Sequence, residues 1–502
     1  MRYVSTRGRV PAVSAAEAIR QGIASDGGLY TPEQIPRLTE TELTAMVDLS
    51  YQELAAKILG MYLTDYPAED LKRMIGAAYA FPEKFGSPEV TPVTTIGDGQ
   101  YLLELYHGPT CAFKDVALQL LPHLLTKASE LTGDTREIVI LVATSGDTGK
   151  AALEGFKDVP GTRIIVFFPE EGVSQVQRLQ MVTQEGQNTE VIAVQGNFDD
   201  AQNAVKQIFT DPGILDKMAR HGLTFSSANS INWGRLVPQI VYYFYGYMAL
   251  CRGQRLRMGD ILNVVVPTGN FGNILAAYFA KQMGLPLGKL ICASNSNNVL
   301  TDFIKTGRYN RNRDFHLTIS PSMDILISSN LERLLFYLTG QNADQVCDWM
   351  SQLKSNGEYR IGDDYLAKLH EDFYGGFATE AETMDTIGDV YQSASKVIDT
   401  HTAVGQSVYK QYLRETGDRT PMLLASTASP FKFNASVVQA IAGEEAVLGK
   451  DEFELLHELQ RISGEAIPQA LEGLNRKAIR HQRVCKPERL GELVQGLLKI
   501  DK

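Results

Sequence analysis

Between residues 137 and 226 short apolar runs alternate with longer amphipathic ones, and that pattern leaves few folds open. Residues 137–143, 163–168 and 189–194 are largely apolar on consecutive positions, so each reads as a strand covered on both faces. Helical patterns separate them: one begins near Asp147, one runs over 173–185, and one takes Asp199 or Asp200 as its N-cap. Such an order builds a mainly parallel sheet with helices on either side. The alternation resumes after residues 223–226 with a long apolar helix over 233–250 and strands at 261–266, 290–293 and 422–425. The predicted fold is therefore α/β, with two three-layer lobes of mainly parallel sheet and a ligand cleft between them. Ligands in such sheets sit beyond the carboxyl ends of the strands, where Ser145, Gly269 and Ser426 fall.

The flanks differ. Residues 1–98 are helix-rich and broken by prolines, and form a separate N-terminal region. Residues 99–445 hold the two lobes, the smaller over about 115–225, with an acidic helical elaboration at about 332–391. Residues 446–502 read as a helical, charged extension. A net charge of −11 with no lysine/arginine run argues against a nucleic-acid surface. The five cysteines form no Cys-x-x-Cys pair and the histidines no His-x-x-x-His pair, so no metal site is expected. No apolar signal segment and no membrane-length apolar run occur, even at 240–250. A reduced, cytoplasmic protein without a membrane partner is the consistent expectation, as a monomer or small homo-oligomer.

Two segments carry chemistry. Lys114 lies in His107-Gly108-Pro109-Thr110-Cys111-Ala112-Phe113-Lys114-Asp115, an apolar setting that would lower its pKa. Gly269-Asn270-Phe271-Gly272-Asn273 follows a β-branched strand and opens an apolar helix over 274–283. A glycine turn there leaves N–H groups free at a helix N-terminus to hold a phosphate, with no Cβ in the way. A lysine plus a phosphate turn is the minimal kit for pyridoxal 5'-phosphate held as a Schiff base. A nucleotide P-loop does not fit. In Thr144-Ser145-Gly146-Asp147-Thr148-Gly149-Lys150 the first glycine is replaced by Thr144, and Ala151 stands where a metal-binding hydroxyl belongs.

Taken together, the chain resembles the threonine synthase family in its long bacterial and fungal form, within the tryptophan-synthase β-like (fold type II) class of pyridoxal phosphate enzymes. The resemblance rests on an ordered series: Tyr3 to Gly8, Asp26 to Tyr30, His107 to Asp115, Ala143 to Gly149, and Asn229-Ser230-Ile231-Asn232-Trp233-Gly234-Arg235. Thr268 to Asn273, Ser322 to Ile325, Asp399 to Ala403 and Ser426 to Phe433 continue it, and only the tail matches nothing specific.

What the resemblance implies is a lyase of threonine biosynthesis that turns O-phospho-L-homoserine and water into L-threonine and phosphate. Lys114 would be the Schiff-base lysine and the base at Cα and Cβ. Gly269 to Asn273 would hold the cofactor phosphate, and Thr427 would face the pyridine nitrogen without protonating it. Thr144, Ser145, Asp147 and Thr148 would hold the substrate carboxylate on turn N–H groups. Asn229, Ser230 and Arg235 would hold the substrate phosphate, arginine supplying two hydrogen bonds at once. Lys150 and Asn232 are weaker candidates. In the wider class asparagine replaces Asp147 and contacts the cofactor ring oxygen; an aspartate would repel that oxygen, so this contact is not carried over. Two alternatives stay open: a serine or threonine dehydratase, which needs no Arg235, and a non-catalytic sensor of phosphorylated amino acids.

Overall fold

A computed structural model describes residues 1–501 apart from Ser145, Glu171 and Gly172, and apart from the side chain of Asp199. In the smaller lobe Glu137–Ala143, Thr162–Pro169, Thr189–Val194 and Leu223–Ser226 form a parallel sheet. Alternate residues of its central strand enter different cores. Ile138, Ile140 and Val142 face one, and Val139 and Leu141 face the other. That double burial is why the strand shows no polar alternation.

A fifth strand, Arg483–Cys485, lies parallel beside Thr189–Val194 at the sheet edge. The tail reads as helical in the sequence and does contain helices Glu452–Ser463 and Leu490–Leu498, but this strand is added to them. Leu490, Val494 and Leu498 pack into the outer core of the smaller lobe with Ile208 and Ile214.

The larger lobe has a six-stranded sheet in the order Phe373–Phe377, Leu287–Ser294, Leu262–Pro267, Met422–Ser426, Gln100–Glu104, Val93–Gly97. The first five are parallel, and the last turns back antiparallel through Asp98-Gly99, with Gly99 at φ +65°. The boundary expected after residue 98 thus falls inside a hairpin of this sheet. The elaboration at about 332–391, expected to be helical, supplies the opposite edge strand, Phe373–Phe377. A further local correction concerns helix Phe198–Thr210, which is capped by Asn197. Asp200, expected as the N-cap, sits at the third helical position and returns a hydrogen bond to the Asn197 N–H at 2.9 Å. The reciprocal pair satisfies two end N–H groups at once, which neither residue does alone. The expected alternative cap, the Asp199 side chain, lies outside the described residues.

Helix Trp233–Arg252 is buried along almost its whole length, as its all-round apolar sequence requires. It packs against Tyr51–Tyr62 of the N-terminal region and against helix Gly272–Gln282, tying that region to the larger lobe. Among the described residues no helix is long and apolar enough to cross a membrane.

Candidate functional site

Lys114 opens the short helix Lys114–Leu118, and the segment before it is laid along the end of strand Met422–Ser426. The Leu105 N–H donates to the Ser426 carbonyl at 2.9 Å, and the Phe113 N–H to the Thr427 carbonyl at 2.8 Å. These bonds place Lys114 beside buried Thr427, two residues 313 positions apart in the chain. The turn itself is folded around the buried carboxylate of Asp115, which accepts from the Thr110 N–H at 2.8 Å and its hydroxyl at 2.6 Å. Burial raises the Asp115 carboxyl to about 6, against the pull of the Thr110 hydrogen bonds. Gly108 permits the fold, because a Cβ there would stand 2.5 Å from the Asp115 Cβ.

The Lys114 amine donates to Ser322 Oγ at 3.0 Å and lies 3.6 Å from Asp147 Oδ2. Burial lowers its pKa, Asp147 opposes that shift, and Lys432 and Arg235 reinforce it. Asp147 is held by a second lysine: Lys432 Nζ donates to its Oδ1 at 2.5 Å and to the Thr110 carbonyl at 3.1 Å. Burial would raise the Asp147 carboxyl, but Lys432 and Lys114 override it and keep the group well below the usual carboxylate range.

The turn Gly269 to Asn273 is anchored from both sides. Gly269 meets the loop carrying Ser322 so closely that a Cβ would stand 2.7 Å from the Ser322 carbonyl oxygen. The Asn270 carbonyl accepts from the Asn330 side-chain amide at 3.0 Å. Phe271 takes a left-handed conformation, φ +62°, to start helix Gly272–Gln282, and buries its ring on Phe373. Intrahelical bonding begins with the Leu275 N–H to the Phe271 carbonyl at 3.1 Å, leaving the first-turn N–H groups for an anion. Asn273 Oδ1 accepts from Tyr242 at 2.6 Å and Tyr243 at 2.5 Å. Its buried Nδ2 has no partner among the described residues. A buried, unpaired amide donor in the first turn of a helix fits a bound phosphate, so these residues suit the cofactor.

Arg235 lies in the first turn of helix Trp233–Arg252 and is 3% exposed. Its guanidinium donates to the Ala228 carbonyl, and its Nε has no partner among the described residues. No carboxylate pairs with it among those residues, and burial lowers its pKa to about 10. A buried cation without a counter-ion is set to receive an anion.

Other candidates divide. Thr144 is spent inside its loop, its hydroxyl accepting from the Gly146 and Gly149 N–H groups at 3.0 Å each. The N–H groups of Asp147 and Thr148 are what remains for a carboxylate, and Ser145 lies outside the described residues. Asn229 is exposed and Ser230 partly so, at the entrance to the Arg235 helix. Asn232 caps that helix and bonds the Ile19 carbonyl at 3.0 Å, while Lys150 is taken by Glu154 at 2.6 Å, so both are structural.

Sequence reasoning gave no role to Lys432, Ser322, or the pair Asp399 and His401. His401 Nε2 accepts from the Ser322 N–H at 3.2 Å, and its Nδ1 lies 2.9 Å from Asp399 Oδ1. With Nε2 accepting, the ring proton belongs on Nδ1, donated to Asp399. Lys432 alone had a local signal: like Lys114 it directly follows a phenylalanine, Phe431.

Three family models match the chain: "Threonine synthase N terminus" over residues 2–79, "Pyridoxal-phosphate dependent enzyme" over 91–356, and "Threonine synthase, C-terminal" over 402–489. The threonine synthase of Pseudomonas aeruginosa is 40% identical over 449 residues, covering 89% of this chain and 92% of that one. The PLP-bound threonine synthase of Brucella melitensis superposes with a TM-score of 0.87 at 37% identity, covering 99% of both chains. The yeast threonine synthase structure gives 0.87 at 35% identity, over 99% of this chain and 98% of its own.

Proposed function

The chain belongs to the threonine synthase family of pyridoxal-phosphate-dependent enzymes, and from that premise we propose that it converts O-phospho-L-homoserine and water into L-threonine and phosphate. In this reaction the Cγ–O bond breaks with its electron pair leaving on phosphate. Cγ gains a proton and becomes the methyl group, and the oxygen of water adds at Cβ. Pyridoxal phosphate, when bound, supplies the electron sink that makes protons at Cα and Cβ removable.

The residues then have separable tasks. Lys114 would hold the cofactor and carry protons at Cα and Cβ, burial favouring the neutral amine that can accept them. Gly269 to Asn273 would hold the cofactor phosphate, with Asn273 Nδ2 and the first-turn N–H groups as donors. Thr427 would face the ring nitrogen, where a hydroxyl, unlike a carboxylate, would leave it unprotonated. The N–H groups of Asp147 and Thr148 orient the substrate carboxylate. Arg235, with Asn229 and Ser230, holds the substrate phosphate as it leaves. The chain works in a reducing cytoplasm, alone or as a small homo-oligomer, in keeping with its five free thiols.

One observation carries the choice of substrate: a buried arginine with no carboxylate paired to it among the described residues. A dehydratase substrate has no phosphate to meet that charge. The test is purified protein with O-phosphohomoserine, following phosphate and threonine together. Equal yields are expected. Production of 2-oxobutyrate from threonine, with phosphohomoserine inert, would replace this reading with a dehydratase.

A further inference from the structure

Asp147 has two lysines, and they are not equivalent. Lys432 Nζ makes a direct 2.5 Å hydrogen bond to Oδ1, its side chain is 0% exposed, and it comes from the segment after strand Met422–Ser426. Lys114 Nζ stands 3.6 Å from Oδ2, keeps 11% of its side chain exposed, and gives its hydrogen bond to Ser322 Oγ, which in turn donates to Oδ2 at a longer 3.3 Å. Gln177 Nε2 adds a 3.1 Å bond to Oδ1, so that oxygen is doubly held on the side away from Lys114. We propose that Lys432 is a positioning residue: it is the permanent counter-ion of Asp147, and it thereby releases Lys114 to act as a neutral amine.

A buried carboxylate with only one lysine beside it would hold that lysine's proton tightly. With Lys432 in direct contact the charge is already balanced. Lys114 can then lose its proton or enter a covalent bond without stranding an unpaired carboxylate. The other titratable groups near the pair are Arg235 from helix Trp233–Arg252 and His401 from helix Thr400–Thr416, the latter bonded to Asp399. Asp115 also feels Lys432, but its carboxylate is bonded to Thr110. The inference rests on Lys114 being the reactive amine of the proposed function.

The test uses the full chain freed of cofactor, with Lys114 acetylated by acetic anhydride across a pH series and its peptide quantified by mass spectrometry. In Lys432→Met the midpoint for Lys114 labelling should rise by about one pH unit, because Asp147 must then lean on Lys114. An unchanged midpoint overturns the proposal. Should that variant fail to fold, the double variant Asp147→Asn/Lys432→Met, which removes both charges, decides the matter. Its midpoint should match the wild type, and a fall of about one unit or more would show that Lys114 was holding Asp147 all along. The labelling does not depend on catalysis. A wild-type protein that labels as expected but never links pyridoxal phosphate through Lys114 would overturn the functional reading and leave the ion-pair result standing.

Discussion

Arg235 and Asp115 show how differently two buried charges can be used. Arg235 has donors left over, and replacing it with alanine removes a charge-assisted hydrogen bond worth about 1.5–3 kcal/mol. Arg235→Ala should therefore bind phosphohomoserine roughly tenfold to a hundredfold more weakly. Binding of non-phosphorylated homoserine should change little; equal losses for both ligands would make Arg235 structural. Asp115 has every partner it needs but is buried beyond water, so its carboxyl rises from 3.8 to about 6. The folded state then holds a proton that the unfolded state has lost. Stability from this group is full below pH 4 and falls as pH rises through 6, by about 3 kcal/mol at 1.4 kcal/mol per unit. Glu104 works the other way. Burial would raise it, but His107 and Lys396 hold it at about 2, so its contribution is lost only as pH falls below 4.5. Resistance to denaturant should thus weaken as pH rises from 4.5 to 6.5 in the wild type, and more shallowly in Asp115→Asn. Parallel curves would sink the assignment.

The turns that carry the site tolerate less than the helices around them. At Gly269 a methyl group would strike the backbone oxygen of Ser322 at 2.7 Å, and overpacking of that kind costs about 1–3 kcal/mol. Gly269→Ala should push Ser322 off the Lys114 amine and loosen retention of pyridoxal phosphate, measured by equilibrium dialysis, by about tenfold or more. Gly60, in helix Tyr51–Tyr62, has open space around it, and Gly60→Ala should instead stabilise the chain by about 0.5–1 kcal/mol. The contrast separates a turn held for function from a replaceable glycine. Local pattern made the smaller lobe readable, because strands such as Glu137–Ala143 announce two-sided burial in consecutive apolar residues. It did not reveal Val93–Gly97, with its two threonines, or Phe373–Phe377, with its two glycines, since neither carries enough apolar side chain to set a period. The site divides in the same way. Lys114 and the Gly269 turn declare themselves through their neighbours in the chain, whereas Ser322 and His401 gain their positions from contacts made across long separations.

Distant segments also complete the smaller lobe. Leu490, Val494, Leu498 and Ile500 fill its outer core, and Arg483–Cys485 covers the edge of Thr189–Val194. Each buried aliphatic side chain contributes about 1.5–3 kcal/mol, so removing residues 483–502 should cost roughly 6 kcal/mol or more, a large part of the stability of a single domain. The truncated chain should be cut by protease within the smaller lobe while the larger lobe survives. Equal resistance of both lobes would show that the tail is dispensable. The same arrangement sets a clock during synthesis. The strand that closes the sheet edge leaves the ribosome about 290 residues after Val194, a delay of about 15 to 60 s at ordinary elongation rates. Throughout that interval the nascent chain offers an unpaired strand beside an uncovered apolar face, the kind of surface that chaperones recognise and neighbouring chains join.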